Sequence, residues 1–459
     1  MKKIYALLTA ACLLTLTLNA QPYSASWESL DKRATPTWFE DAKFGIFIHW
    51  GIYAVPSWAP AGHTGAKGYL CYSEHYWNQK DGNQNALFKE FHNEMYGEDV
   101  LYQDFAPQFK AEMFSPADWA EIFKNSGAKY VVLTSKHHEG FCLWPSQYSW
   151  NWNAAEIGAH RDLLGDLTAA VKETGLKMGY YYSLLEWFNP LYKEETLEKY
   201  VTTHMIPQMK ELVETYHPDI VWPDGEWDFD SSKWHSEEFL SWLFNESSVK
   251  DSVVVNDRWG KECRSLHGGF YTTEYGEVGG GKGTEQTLSH PWEECRGIGD
   301  SFGFNRNENL SDYRTSEELV HLLVSTVSKG GNLLLNVGPT ADGRIPLLFQ
   351  QRLSDLGNWL DVNGEAIYGT RKVADANVGP DIHLTRNGKQ IYVITTAWQS
   401  KDIVIGGIGA SAVSVEMLGR EGKVNFRNTS KGIVIKPVAI TSPEDLPCDY
   451  AWPYRITLK

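Results

Sequence analysis

The stretch Phe44-Gly45-Ile46-Phe47-Ile48-His49-Trp50 decides the fold, because an apolar run stops abruptly at residues able to do chemistry. The pattern recurs. Tyr130-Val131-Val132-Leu133-Thr134 runs into Lys136-His137-His138-Glu139, Ile220-Val221-Trp222-Pro223 into Asp224-Gly225-Glu226, and Val253-Val254-Val255-Asn256 into Asp257-Arg258. Fully buried parallel strands read as continuous apolar runs, because helices cover both faces of the sheet. In a closed β/α barrel all strand C-termini open onto one rim, where catalytic groups gather. His49 and Arg258, far apart in the chain, can then share one pocket.

Helical patterns separate the runs. Residues 116–125 start at Pro116 with Ser115 as N-cap, and Gly127 ends them. Residues 162–174 close at Gly175, residues 194–216 are interrupted at Pro207, and residues 316–328 take Ser316 as cap. Each leads into a strand, at 130–134, 177–182, 220–222 and 332–337. This alternation predicts a parallel barrel or an open doubly wound sheet over residues 21–370. No GxGxxG or Walker A loop supports a nucleotide site. Short β-like runs at 391–397, 401–405, 412–417 and 432–436, between Gly, Asn and Ser turns, predict an antiparallel β-sandwich over residues 371–459. Two stretches break the barrel rhythm, 56–102 and 260–309. Loops of that length are usually functional or disordered, and their many aromatics argue against disorder.

Residues 1–20 read as a secretory signal: Lys2 and Lys3, an apolar stretch to Leu18, and Leu18-Asn19-Ala20 as cleavage site. Thr9 argues against a lipoprotein signal at Cys12. The chain is therefore expected to be exported, to the periplasm or the outside, with no membrane span. Without the two leading lysines, 40 basic residues stand against 58 acidic ones, a formal charge of −18. That argues against nucleic acid or an anionic membrane as partner. Five cysteines remain, Cys71, Cys142, Cys263, Cys295 and Cys448, with no CxxC pair. One or two bridges are conceivable, and one thiol at least has no partner within the chain. Nineteen tryptophans either fill a large core or stack on sugar faces.

Asp224 ends an apolar strand, and Gly225 lets the backbone turn sharply after it. A buried carboxylate there is costly unless hydrogen-bonded or functional; the plain alternative is a turn or helix cap. Glycoside cleavage needs two carboxyl groups, roughly 5–5.5 Å apart in retaining enzymes. Glu274, Glu277 and Glu293 are the candidates for the second, and spacing does not choose between them. His49, His137 and His138 offer hydrogen bonds to hydroxyls, or serve the structure alone. Together with Asp224 they are also usual zinc ligand types, but no HxH or HExxH spacing supports a metal. Arg258 would clamp a carboxylate or a sugar oxygen, or pair with a buried acid.

At these residues the chain resembles the α-L-fucosidases of glycoside hydrolase family 29. The resemblance is carried by the run from Trp38 through Phe44-Gly45-Ile46-Phe47-Ile48-His49-Trp50-Gly51-Ile52-Tyr53, and by Gly127-Ala128-Lys129-Tyr130. Lys136-His137-His138-Glu139-Gly140-Phe141, Asn256-Asp257-Arg258-Trp259-Gly260 and Gly330-Gly331-Asn332-Leu333-Leu334-Leu335-Asn336-Val337-Gly338-Pro339 follow in order. It implies a (β/α)8-like barrel followed by a C-terminal β-sandwich, and a retaining exo-hydrolase of terminal α-L-fucose on fucosylated oligosaccharides or glycoconjugates. Asp224 matches the nucleophile. Phe270-Tyr271-Thr272-Thr273-Glu274-Tyr275 matches the block carrying the acid/base in bacterial relatives, which implies Glu274, with Glu293 in reserve from animal relatives. His49, Glu74, His137, His138, Tyr181, Trp222 and Arg258 match fucose-contacting positions. The histidines, Glu74 and Trp222 would orient hydroxyls, and an aromatic wall with Phe302 would hold the methyl group. His75 departs from the pattern, since relatives usually have Trp there. No metal or organic cofactor is required, and exported enzymes of this kind are often homo-oligomers. The competing readings are a fucose-binding module without hydrolysis and a metal-dependent hydrolase on the same barrel.

Overall fold

The computed structural model describes residues 23–278, 281–282, 289–374 and 378–459; the expected signal at residues 1–20 lies outside the described residues. Eight parallel strands form the core: β1 (Phe44–Ile48), β2 (Tyr130–Lys136), β3 (Lys177–Ser183), β4 (Ile220–Asp224), β5 (Val254–Val255), β6 (Tyr271–Glu274), β7 (Trp292–Gly297) and β8 (Asn332–Val337). They pair in the order β5-β4-β3-β2-β1-β8-β7-β6. The seam between β5 and β6 is bridged by the Phe270 N–H, which donates to the Val255 carbonyl at 3.1 Å. All eight sectors feed one interior cluster, with Phe47, Val132, Tyr181, Trp222, Val254, Phe270, Cys295 and Leu334 packed together. Phe39 and Ala42, from the helix Thr37–Ala42, plug the end where the strands begin. The sheet is therefore a filled barrel rather than an open doubly wound sheet.

Glycine permits the closure. At Gly268, where φ is +115°, a Cβ would lie 2.3 Å from the Asn256 carbonyl oxygen; at Gly269 it would lie 2.8 Å from that of Val255. Two backbones this close leave no room for a side chain.

The helices pack outside. Pro116–Asn125 is capped by Ser115, whose side chain accepts from the Asp118 N–H, and Leu163–Glu173 is capped by Asp162. Ser316–Ser328 is capped one residue earlier than its sequence suggests. Thr315 and Glu318 form a reciprocal capping box there, while Ser316 is already helical. The helical pattern at 194–216 is not broken at Pro207. A π turn, Val201–Met205, leads directly into Ile206–Tyr216, so the proline sits at the first turn of that segment, where its missing N–H costs little. No described helix is long and apolar enough to cross a membrane. The five described cysteines are all free thiols, so none of the conceivable bridges forms among them.

Beyond the barrel, a five-stranded antiparallel sheet (371–372, 382–387, 390–395, 452–458, 412–417) faces a three-stranded one (403–405, 432–435, 426–429). Leu384, Ile391, Val393, Ile405, Val415, Ile433 and Ile456 fill the space between them. The other face of the larger sheet joins the barrel's outer core through Tyr392 and Ile394, with Leu418 and Ala451 beside them.

Candidate active site

β4 reaches as far as Asp224, which pairs in register with Ser183 at the end of β3. Gly225 then turns at φ +77°. The Asp224 carboxylate accepts from Arg258 Nη1 at 2.5 Å and from the Tyr181 hydroxyl at 2.9 Å. Burial alone would raise its pKa. The charges of Arg258 and Arg264, with the hydrogen bonds from Arg258 and Tyr181, outweigh burial and hold the carboxyl below its usual value. Asp224 is thus an ionised carboxylate in a nearly dry site.

Arg258 is fixed from several sides. Its Nε donates to Thr272 Oγ1 at 3.1 Å, and Thr272 in turn donates to Asp257 Oδ1 at 2.7 Å. Its guanidinium lies over the Trp222 ring, 4.4 Å from the centroid. Nη2 donates to Glu274 Oε2 at 3.3 Å. One planar guanidinium therefore holds both carboxyl groups, which puts them on one side of one pocket.

Glu274 is the last residue of β6. Tyr275 and Gly276 follow at φ +52° and +78°, and Glu274 pairs with Glu277 across them. Positive φ at both central residues is the two-residue hairpin turn whose twist suits the strands. That turn leaves Glu274 at the rim, part exposed, where it also accepts from the Tyr72 hydroxyl at 3.2 Å. The backbone of Glu277 lies on the return strand, and its side chain is outside the described residues. Glu293 is not a pocket residue. It sits two positions before Cys295 on β7, one layer deeper in the barrel, and accepts from Tyr130 Oη at 2.5 Å and Trp222 Nε1 at 2.9 Å. It has no route to a leaving oxygen. Trp222 consequently offers the pocket its ring and not its N–H, which corrects the expectation that it orients a hydroxyl.

His49, at the end of β1, and His137 and His138, just past β2, line the same pocket with Glu74, Tyr181, Trp222, Arg258, Asp224 and Glu274. Burial pushes His49 and His137 down to about 3 and holds His138 well below its ordinary value, so all three imidazoles are neutral. Their neighbours fix two tautomers. Asn336 donates its amide to the Phe302 carbonyl, so its oxygen must accept from His49 Nδ1 at 2.7 Å. Ser183 donates to the Leu185 carbonyl, so its hydroxyl accepts from His138 Nδ1 at 2.7 Å. Both rings are left with a bare Nε2, an acceptor for hydroxyl groups. Glu74 accepts from the Gly303 N–H at 2.8 Å, yet burial raises its pKa to about 7. Phe302 stacks on His49, with centroids 4.9 Å apart, and forms an apolar wall with Tyr72.

Seven further residues line the pocket without having been picked as contacts from the sequence: Phe47 and Cys295 on the strands, and Tyr69, Tyr72, His75, Trp227 and Arg264 beyond them. Tyr69, Tyr72 and His75 come from the first long loop, whose aromatic density was the available signal; Trp227 follows the Asp224 turn. Arg264 had none, since its partner Glu226, at 2.7 Å, is identified only by the folded chain. Outside them opens a wider cleft of ≈ 1260 Å³.

Bare imidazole acceptors around one ionised and one rim carboxyl group suit a polyhydroxylated ring far better than a peptide or a phosphate. Fold and site together define a glycoside hydrolase of the barrel class. Residues 10–365 match the family profile described as alpha-L-fucosidase, and residues 375–457 that of the alpha-L-fucosidase C-terminal domain. The chain is 41% identical to human tissue alpha-L-fucosidase over 454 residues, covering 96% of this chain and 93% of that one. It is also 41% identical to an alpha-L-fucosidase of Dictyostelium discoideum over 460 residues, 96% of each chain. The crystal structure of Thermotoga maritima alpha-fucosidase with a mechanism-based inhibitor superimposes at a TM-score of 0.80 and 38% identity, over 95% of this chain and all of that one. The chain belongs to the alpha-L-fucosidase family of glycoside hydrolases.

Proposed function

We propose that this enzyme is a retaining exo-α-L-fucosidase that removes terminal α-L-fucose from fucosylated glycans by double displacement. The observation that carries the reading is the shared guanidinium: Arg258 keeps Asp224 ionised and holds Glu274 beside it. Asp224 attacks the anomeric carbon while Glu274 gives a proton to the departing glycosidic oxygen. The carbon–oxygen bond breaks and a fucosyl ester of Asp224 forms. Glu274, now a carboxylate, takes a proton from water, the water oxygen bonds the anomeric carbon, and Asp224 is released. The ring's developing positive charge faces Asp224 throughout, in a site where water competes little. His49 and His138 accept from sugar hydroxyls through Nε2, His137 and Glu74 flank them, and Phe302 with the Trp222 ring holds the apolar side. No step calls for a metal or an organic cofactor.

Hydrolysis of an aryl α-L-fucoside followed by anomer-resolved NMR tests the stereochemistry, with α-L-fucose expected as the first product. Asp224→Ala should lose turnover by at least about 10³-fold, and added azide should restore it as the inverted fucosyl azide. Undiminished turnover in that variant, or β-L-fucose as first product, would overturn the proposal. We further propose export directed by residues 1–20. Mass spectrometry of the protein recovered outside the cytoplasm should find a chain beginning at Gln21, and an uncleaved leader throughout would refute it.

A further inference from the structure

We propose that the sugar pocket doubles as a site for an imidazole-preferring divalent transition ion of the Zn²⁺ class, held by His75, His137 and His138, and that metal and sugar exclude one another. The donor nitrogens of these three side chains lie within 4.8 Å of one another. Zinc–nitrogen bonds are about 2.0–2.1 Å, so each ring needs to move by only roughly an ångström to share one ion. The set differs from the one the sequence offered, because His75 takes the place of His49. The chain brings His75 in from the 3-10 turn Ser73–His75, and its ring centroid stands 5.9 Å from that of His137 and 5.5 Å from that of His138.

His138 has its Nδ1–H committed to Ser183, which leaves Nε2 as donor to the ion. The His75 ring makes no hydrogen bond among the described residues, its backbone N–H alone donating to the Tyr72 carbonyl at 3.2 Å, so ligation breaks none.

A second observation is independent of the three-nitrogen geometry. His137 Nδ1 and Glu139 Oε2 face each other at 3.5 Å, both buried and both without a hydrogen-bond partner among the described residues. Glu139 is 1% exposed, and the proposed reaction gives it no part. Histidines that hold a metal through one nitrogen typically pass the other N–H to a carboxylate, which fixes the ring and strengthens the bond. An ion on His137 Nε2 would polarise Nδ1–H and give the orphaned Glu139 Oε2 its partner. Two buried polar atoms that cost free energy in the empty pocket would then be satisfied.

Three protein nitrogens leave a fourth position open toward the pocket, where Asp224 Oδ2 stands 3.8 Å from His138 Nε2. An ion there would occupy the space the sugar needs and neutralise the attacking carboxylate. It would therefore inhibit by competition rather than assist. That exclusion rests on the proposed fucosidase reading; the binding site itself does not.

The test separates the two. The full chain, stripped by chelator and dialysed, is titrated with ZnCl₂ by calorimetry in the absence of sugar. One ion per chain is expected. His75→Gln and His137→Gln should each weaken it by at least about tenfold, and Glu139→Gln by a comparable factor. Saturating L-fucose should abolish the heat. Absence of binding, or His75→Gln binding as tightly as the unsubstituted chain, overturns the site and leaves the fucosidase reading untouched. Binding that L-fucose does not displace overturns the exclusion. Because a variant can fail to fold, a zinc-edge anomalous map of the unsubstituted protein gives a second check: the peak must lie between the three rings, and a peak elsewhere refutes the proposal.

Discussion

Arg258 donates to Asp224 and Glu274 through different nitrogens, so its charge governs how far pH can fall before the nucleophile is lost. Asp224 has a lowered folded pKa, and its reactive ionised form therefore persists as pH drops, until that depressed value is crossed. In Arg258→Met the burial that raises the carboxyl remains while its main opponent is gone. The acid limb of kcat/KM should move up by at least about one pH unit, as a pH profile on an aryl fucoside would show; an unmoved limb would count against the role. Just below the histidines, Lys136 Nζ bonds Glu186 Oε1 at 2.5 Å, and His204 Nε2 reaches the same oxygen at 2.8 Å. Burial would raise Glu186, but Lys136 and His204 outweigh it and push the carboxyl down to about 2. The pair's stabilisation is therefore fully present above the ordinary carboxylate value near 4.5 and is lost as pH falls through about 2. Glu186→Gln strands a buried lysine charge and should cost about 3–5 kcal/mol, read as a lower midpoint in denaturant at pH 7.

The seam between β5 and β6 is the element on which the catalytic guanidinium depends. Asn256, Asp257 and Arg258 leave β5 where Gly268 and Gly269 press against it, and Thr272 of β6 then holds Arg258. Gly268→Ala sets a Cβ against the Asn256 carbonyl and forces a left-handed φ on a residue that resists it, a strain of about 1–3 kcal/mol. A lower melting temperature and a lower kcat should appear together. A variant with unchanged melting and turnover would show that the seam relaxes freely. The apolar runs were legible as strands because a closed barrel buries both faces, and the residues after them were legible as rim residues for the same reason. Gly268 and Gly269 carried no such signal. Their role comes from a backbone that approaches from elsewhere in the chain. Glu293, held in reserve from the resemblance, lies two positions before Cys295 on β7, and depth along the barrel axis is not written in strand alternation.

At the scale of the molecule, the sandwich sits on the helices Ser316–Ser328 and Leu347–Asn363 rather than near the pocket. Trp359 Nε1 donates to the Ala451 carbonyl at 2.9 Å, and His321 Nε2 pairs with the Tyr450 carbonyl at 2.9 Å. Arg455 reaches back to Glu365 at 2.9 Å. Removing residues 371–459 would uncover the part of the barrel's outer core against which Tyr392 and Ile394 pack. The truncated barrel should lose soluble yield and melt at a lower temperature, measured by expression fractionation and thermal unfolding. A soluble truncation with the parent's melting point would show that the sandwich braces nothing. The antiparallel strands were legible from their turn residues, but their docking face was not, since Tyr392 and Ile394 share that face with His383, Thr385, Arg455, Thr457 and Glu416, a mixture that reads as solvent-facing.

By itself the chain determined the alternation of buried strands and capped helices, the rim position of His49, Asp224 and Arg258, and the change of grammar after residue 371. These follow from local burial and turn chemistry, which short stretches encode. Tertiary structure alone decided which glutamate reaches the pocket, which nitrogen each histidine presents, and that His75 joins His137 and His138. Those are matters of distance between residues remote in sequence, and distance is set by closure of the barrel rather than by any segment within it.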